Sequence, residues 1–151
     1  MTALSQSLLW QRMETYYNKL GPEVWQKEVV PSDITSNKYL AKLYAQTIIF
    51  HLHDYATQNP QGFLEKPFYI FELGVGHGRF SYYLIKKLLE GIEAFGWPAH
   101  LIRYVMTDIS ARNIESWRTN PVFKPFIERK ILDFALFNAL DDEPIFLIES
   151  Q

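Results

Sequence analysis

"FYIFELGVGHGRFSYYL", residues 68–84, decides how the rest of the chain is read. It opens on a short apolar run, 68–73, interrupted only by Glu72, of the kind that suits a strand buried on both faces. It ends in a pattern of helical spacing, Phe80, Leu84, Leu88 and Ile92, which predicts a helix over about 79–94. Between the two stand Gly74, Gly76 and Gly78 on alternate positions. Glycine costs backbone entropy wherever one conformation is imposed on it. Three in this spacing imply a backbone that bends sharply, or one that something must approach closely.

Downstream, "LIRYVMTD" at 101–108 reads as a second strand. Ser110 is placed to cap a short helix carrying Ile114 and Trp117 on one face. "RKILDFALF" at 129–137 reads as a third strand and "PIFLIES" at 144–150 as a fourth extended segment. Strands alternating with helices require right-handed crossovers and a parallel sheet. The fold class is α/β, the first half of a Rossmann-like doubly wound sheet. In such sheets ligands bind beyond the carboxyl ends of the strands, which is where the glycine loop falls.

Upstream the pattern is helical. "SQSLLWQRMETYYNKL", 5–20, puts Leu9, Met13, Tyr16 and Leu20 on one face, with Ser5 or Ser7 as cap and Gly21-Pro22 as stop. Residues 22–35 read as an irregular connection with Val29 and Val30 turned inward. Thr35 or Ser36 caps a long helix, about 37–58, whose ladder is Leu40, Tyr44, Ile48, Leu52 and Tyr55. The division is a helical N-terminal segment, 1–66, and an incomplete α/β domain, 67–151.

The 151 residues are 48% hydrophobic and 16% aromatic, enough for one domain with a ring-rich core. The net charge of −2, with no basic block, does not favour nucleic acid as a partner. With no cysteine, thiolate metal sites and cysteine nucleophiles are ruled out. Residues 1–20 lack the apolar centre of a signal peptide, and no apolar run approaches the roughly 20 residues of a membrane span. The expectation is a soluble, cytoplasmic protein. His51 and His53 lie two apart on a helix and point about 200° apart, so they cannot share a metal; no metal site is expected.

The dinucleotide fingerprint G-x-G-x-x-G needs its third glycine where Arg79 stands, and no Gly-Lys-Ser/Thr follows for a P-loop. What remains is E-x-G-x-G-x-G, from Glu72 to Gly78. "FELGVGHGRFSYYL" resembles the first motif of class I S-adenosylmethionine-dependent methyltransferases, and the likeness covers about residues 67–137. "WQKEVVPSDITSN", 25–37, resembles a poorly characterised bacterial branch of these enzymes. The resemblance implies S-adenosylmethionine as cofactor, an unidentified small-molecule or protein methyl acceptor, and a chain that is the N-terminal portion of a larger fold. Glu72 would help hold the cofactor's amino end, and Gly74, Gly76 and Gly78 would let its methionine portion lie against bare backbone. A carboxylate at the end of the second strand can accept from both ribose hydroxyls; Asp108 stands there, with Ile109 next to it for the adenine ring. Asp133 would accept from the adenine amino group, with Phe134 lining the ring. The alternative is a noncatalytic nucleotide-binding or assembly module. Either way, a half-sheet leaves an unpaired edge through which copies could associate.

Overall fold

The structure, a computed structural model, describes residues 7–27, 32–139 and 144–150. Val29 and Val30 lie outside the described residues. Three helices come first: α1 (Leu8–Leu20), the short α2 (Glu23–Gln26) and α3 (Lys38–Gln58). Then follow β1 (Phe68–Glu72), α4 (Arg79–Ala94), β2 (Ile102–Asp108), α5 (Ala111–Arg118), α6 (Lys124–Glu128) and β3 (Leu132–Leu136).

Local chemistry sets these limits. The Ser7 side chain accepts from the Leu9 N–H at 3.2 Å and starts α1. Gly21, at φ 56°, ends it with an N–H donated to the Tyr17 carbonyl. The cap of α3 is Asn37, accepting from Leu40 N at 2.9 Å, rather than Thr35 or Ser36. Asparagine carries the same acceptor one residue nearer the helix.

The strands form a parallel sheet in the order β1-β2-β3. In register, Glu72, Met106 and Phe134 stand side by side on one face, and Phe71, Val105 and Asp133 on the other. Helices cover the first face. Ser81 of α4 bonds Glu72, and Trp117 of α5 meets Phe134 at 6.3 Å between ring centroids. Both crossovers therefore lie on the same side. A doubly wound sheet needs helices on both faces, and the described residues supply them on one. The other face is bare at β1, where Tyr69, Phe71 and Leu73 are 49%, 44% and 58% exposed.

The core runs without a break from α3 through α4 into the sheet and α5. The buried face of α3 is Ala41, Ala45, Ile49 and Leu52, one residue round from the ladder through Leu40, Tyr44 and Ile48. Small residues let α3 approach α4 closely: a Cβ on Gly91 of α4 would stand 2.8 Å from Ile49 Cγ1.

The segment 144–150 forms no strand. It touches the edge of β3 through a bond from Ile148 N to the Phe134 carbonyl at 3.0 Å. No helix among the described residues is long and apolar enough to cross a membrane.

Candidate functional site

Beyond β1 the chain passes through three left-handed residues, Gly74 (φ 67°), Gly76 (φ 65°) and Gly78 (φ 80°). Side chains rarely adopt this conformation, which accounts for glycine at each. Their surroundings differ. A Cβ on Gly78 would meet Phe123 and Met106 at 3.1 and 3.2 Å, so its bareness serves the packing of α4 on the sheet. One on Gly76 would stand 2.8 Å from Trp25 Cζ2. One on Gly74 would meet no atom of the described residues within 4 Å. Of the three, Gly74 offers bare backbone to open space.

The loop is braced against the end of β2. Val75 N donates to the Thr107 carbonyl at 3.0 Å, and Gly76 N to Asp108 Oδ2 at 3.0 Å. The Trp117 indole N–H donates to the Gly76 carbonyl at 2.9 Å. Asp108 is 6% exposed, and its Oδ1 accepts from Ser110 N at 2.9 Å. Each carboxylate oxygen has taken one N–H and retains a further lone pair. The Ser110 hydroxyl leans instead toward the Tyr17 carbonyl, so α5 begins without a side-chain cap on its own N–H groups.

A cavity of about 700 Å³ opens at this carboxyl edge of the sheet. Leu73, Gly74, Thr107, Asp108 and Ile109 form its floor, and Phe137, Asn138 and Ala139 one side. The opposite wall comes from α1 and α2, through Trp10, Glu14, Tyr17 and Trp25 among others. Trp25 stacks on Tyr17, with centroids 5.6 Å apart and planes at 15°, and meets His77 at 5.7 Å. His77 Nε2 lies 3.1 Å from Ser32 Oγ, and Arg79 pairs with Asp33 at 2.8 Å. These contacts hold the segment before α3 over the glycine loop. Burial, and then the charge of Arg79, lower the His77 pKa.

Three of the residues read from the sequence meet at this cavity: Gly74, Asp108 and Ile109. Gly76 and Gly78 shape the loop but are covered by Trp25 and by Phe123. Glu72 does not line the cavity. Its Oε2 accepts from Ser81 Oγ at 2.5 Å and from the Tyr104 hydroxyl at 2.6 Å, beneath the first turn of α4. Burial raises its pKa above the usual carboxylate value, against the two hydrogen bonds, which lower it.

Asp133 and Phe134 stand elsewhere, contrary to the expectation that they reach the adenine. β3 starts at Leu132 and runs to Leu136, so Asp133 pairs with Val105 near its amino end. There Asp133 Oδ1 accepts from Phe134 N at 2.8 Å and Glu149 N at 2.9 Å, and Arg103 lies 3.5 Å from Oδ2. Ser150 also donates to Oδ2. This carboxylate ties down the C-terminal segment. Phe134 is fully buried in the core. The polar residue at the carboxyl mouth of β3 is Asn138.

The resemblance implies an N-terminal helical segment covering the cofactor, with Tyr16 and Tyr17 at core or rim, and Tyr17 does line the cavity; Trp10 and Glu14 were missed because the periodicity favours the more apolar stripe Leu9, Met13, Tyr16 and Leu20. Trp10, Glu14 and Tyr17, at spacings of four and three, form a second stripe of mixed chemistry that could have been found. Trp25 opens the 25–37 stretch on which the resemblance also rests, but nothing in the sequence assigns it a role. Among the described residues, no group of three or more His, Asp or Glu is arranged to hold a metal ion. Compared with protein-family models, with curated proteins and with solved structures, the chain matches none.

Proposed function

We propose that this chain binds S-adenosylmethionine and serves methyl transfer, as the cofactor-holding half of a class I methyltransferase fold. The observation that carries the reading is the cavity of about 700 Å³ where open backbone at Gly74 meets the carboxylate of Asp108 and the side chain of Ile109. The order β1-β2-β3 is that of the first half of a Rossmann-like sheet, and the cavity lies where such sheets take ligands. Charge adds support. Glu14 and Asp108 are the charged residues among the described lining, with no Lys, Arg or His. A dinucleotide's pyrophosphate would face these two carboxylates, whereas a ligand bearing a sulfonium and an ammonium suits an acidic cavity.

When bound, S-adenosylmethionine supplies a methyl group activated on a sulfonium. The chain's own residues bind and orient. Asp108 has lone pairs left for the ribose hydroxyls, Ile109 offers an apolar surface for the adenine, and Asn138 offers its amide to the adenine edge. Gly74 leaves room for the methionine portion. Glu72, Asp133 and Phe134 are left out of these contacts, because their side chains are engaged away from the cavity. Calorimetric titration with S-adenosylhomocysteine and with NAD tests the reading. The expected result is a preference for S-adenosylhomocysteine; tighter binding of NAD refutes it.

A second reading, an assembly module, is favoured by the bare face of β1, where Tyr69 and Phe71 stack with centroids 6.2 Å apart. On that reading copies associate through the open edge of β1 together with this bare face. Sedimentation would then show a dimer that Phe71→Lys converts to monomer.

A further inference from the structure

The cavity's α1 wall differs chemically from its floor. Trp10, Glu14 and Tyr17 fall at i, i+4 and i+7 of α1 and so share one helix face. Trp25 extends this face by stacking on Tyr17 at 5.6 Å. Three aromatic rings and one carboxylate thus border the same space. Glu14 makes no hydrogen bond or ion pair among the described residues. Asp108, across the cavity, has each oxygen on a backbone N–H, and no cation among the described lining residues neutralises it.

Aromatic faces attract cations through the ring quadrupole, and most strongly the face of tryptophan. A carboxylate adds charge attraction, which grows as water is excluded. An anion entering the same space would meet two carboxylates and, among the described residues, no donor cation. A neutral apolar group would be tolerated by the rings but would leave Glu14 without a partner.

We propose that the α1 wall, with Trp10, Glu14, Tyr17 and Trp25, is a binding subsite for an organic cation, an ammonium or quaternary ammonium group. Resting on the methyltransferase reading, this makes the methyl acceptor an amine-bearing molecule rather than a carboxylic acid or a phosphate ester. The subsite shares the acidic cavity with the cofactor but is built from residues other than Gly74, Asp108, Ile109 and Asn138, which are assigned to the cofactor.

The test uses choline, its neutral isostere 3,3-dimethylbutan-1-ol, and acetate, each titrated calorimetrically into the full chain. Choline is expected to bind at least about tenfold more tightly than the isostere, on the scale of one cation–π contact reinforced by a carboxylate. Acetate is expected not to bind. Glu14→Gln should remove most of the preference for choline and Glu14→Lys all of it, both with an unchanged melting temperature, because Glu14 is exposed on α1. Equal binding of choline and isostere, or a choline affinity unchanged in Glu14→Lys, overturns the subsite. A parallel titration with S-adenosylhomocysteine separates the two claims. Choline selectivity without S-adenosylhomocysteine binding upholds the cation subsite and contradicts the methyltransferase reading. S-adenosylhomocysteine binding without choline selectivity does the reverse.

Discussion

A methyl group added at Gly76 would stand 2.8 Å from Cζ2 of Trp25, whereas one added at Gly74 would meet no atom of the described residues within 4 Å. Both residues are left-handed, so either substitution bears the conformational cost of about 1–2 kcal/mol. Gly76→Ala must in addition move the ring, and so is expected to be the more destabilising of the two. The steric part belongs to Trp25. In a Trp25→Ala background Gly76→Ala should cost no more than Gly74→Ala, a non-additivity that urea denaturation of the double-mutant cycle would measure. Strict additivity would mean that Trp25 does not rest on the loop. Glu72 gives a different signature at the same scale. Burial raises its folded pKa, so the folded state holds the proton more tightly than the unfolded state. Its contribution is fully present below the unfolded value, near 4.5, and is lost as pH rises through the folded value. His77 is shifted down, so its contribution is present above 6.5 and lost as pH falls through its folded pKa. Subtracting Glu72→Gln from the parent, by urea denaturation at stepped pH from 4 to 8, isolates the first term. The parent should lose stability relative to Glu72→Gln as pH rises above about 4.5. A difference independent of pH would contradict burial of this carboxyl group.

Between elements, the contact of α3 with α4 turns on Gly91. In a solvent-facing helix Gly→Ala stabilises by up to about 1 kcal/mol. Here the added Cβ would stand 2.8 Å from Ile49 Cγ1, so Gly91→Ala is expected to destabilise by about 1–3 kcal/mol, the usual cost of overpacking. A stabilised variant would place α3 on its other stripe, through Leu40, Tyr44 and Ile48. The two stripes lie about 100° apart, and the sequence could not choose between them. Hydrophobicity favours the larger residues, while the fold selects Ala41 and Ala45 because close approach is what the helix pair needs. The glycine loop, by contrast, was legible, since positive φ is a local demand that glycine answers locally. The start of β3 was not. Where a strand begins depends on its pairing partner, and a shift of a few residues carried Asp133 from the expected mouth of the sheet to the neighbourhood of Arg103. There it is a tether. Asp133→Ala should cost roughly 3 kcal/mol, the low end for breaking a buried ion pair, because Arg103, 17% exposed, would lose its carboxylate and keep only the Ser150 hydroxyl. Thermal denaturation would show the loss, and calorimetry on the folded fraction should show ligand affinity unchanged.

Across the whole molecule, one face of the sheet carries the core and its carboxyl edge carries the cavity. The topology that places the cavity was readable from the strand–glycine–helix pattern, because parallel crossovers leave few alternatives. The resemblance implies a cover from the N-terminal helical segment, but which α1 residues form it was not readable, because α1 reaches the cavity across a long separation in sequence and no periodicity reports a tertiary contact. We propose that ligand binds between this edge and α1. Amide resonances of the isotopically labelled chain, followed while S-adenosylhomocysteine is added, test it most directly. The largest shifts are expected at Gly74, Asp108, Ile109 and Asn138, with Asp133 and Phe134 nearly still. Shifts centred on Asp133 and Phe134, or no shift at the cavity residues at saturating ligand, would contradict the account.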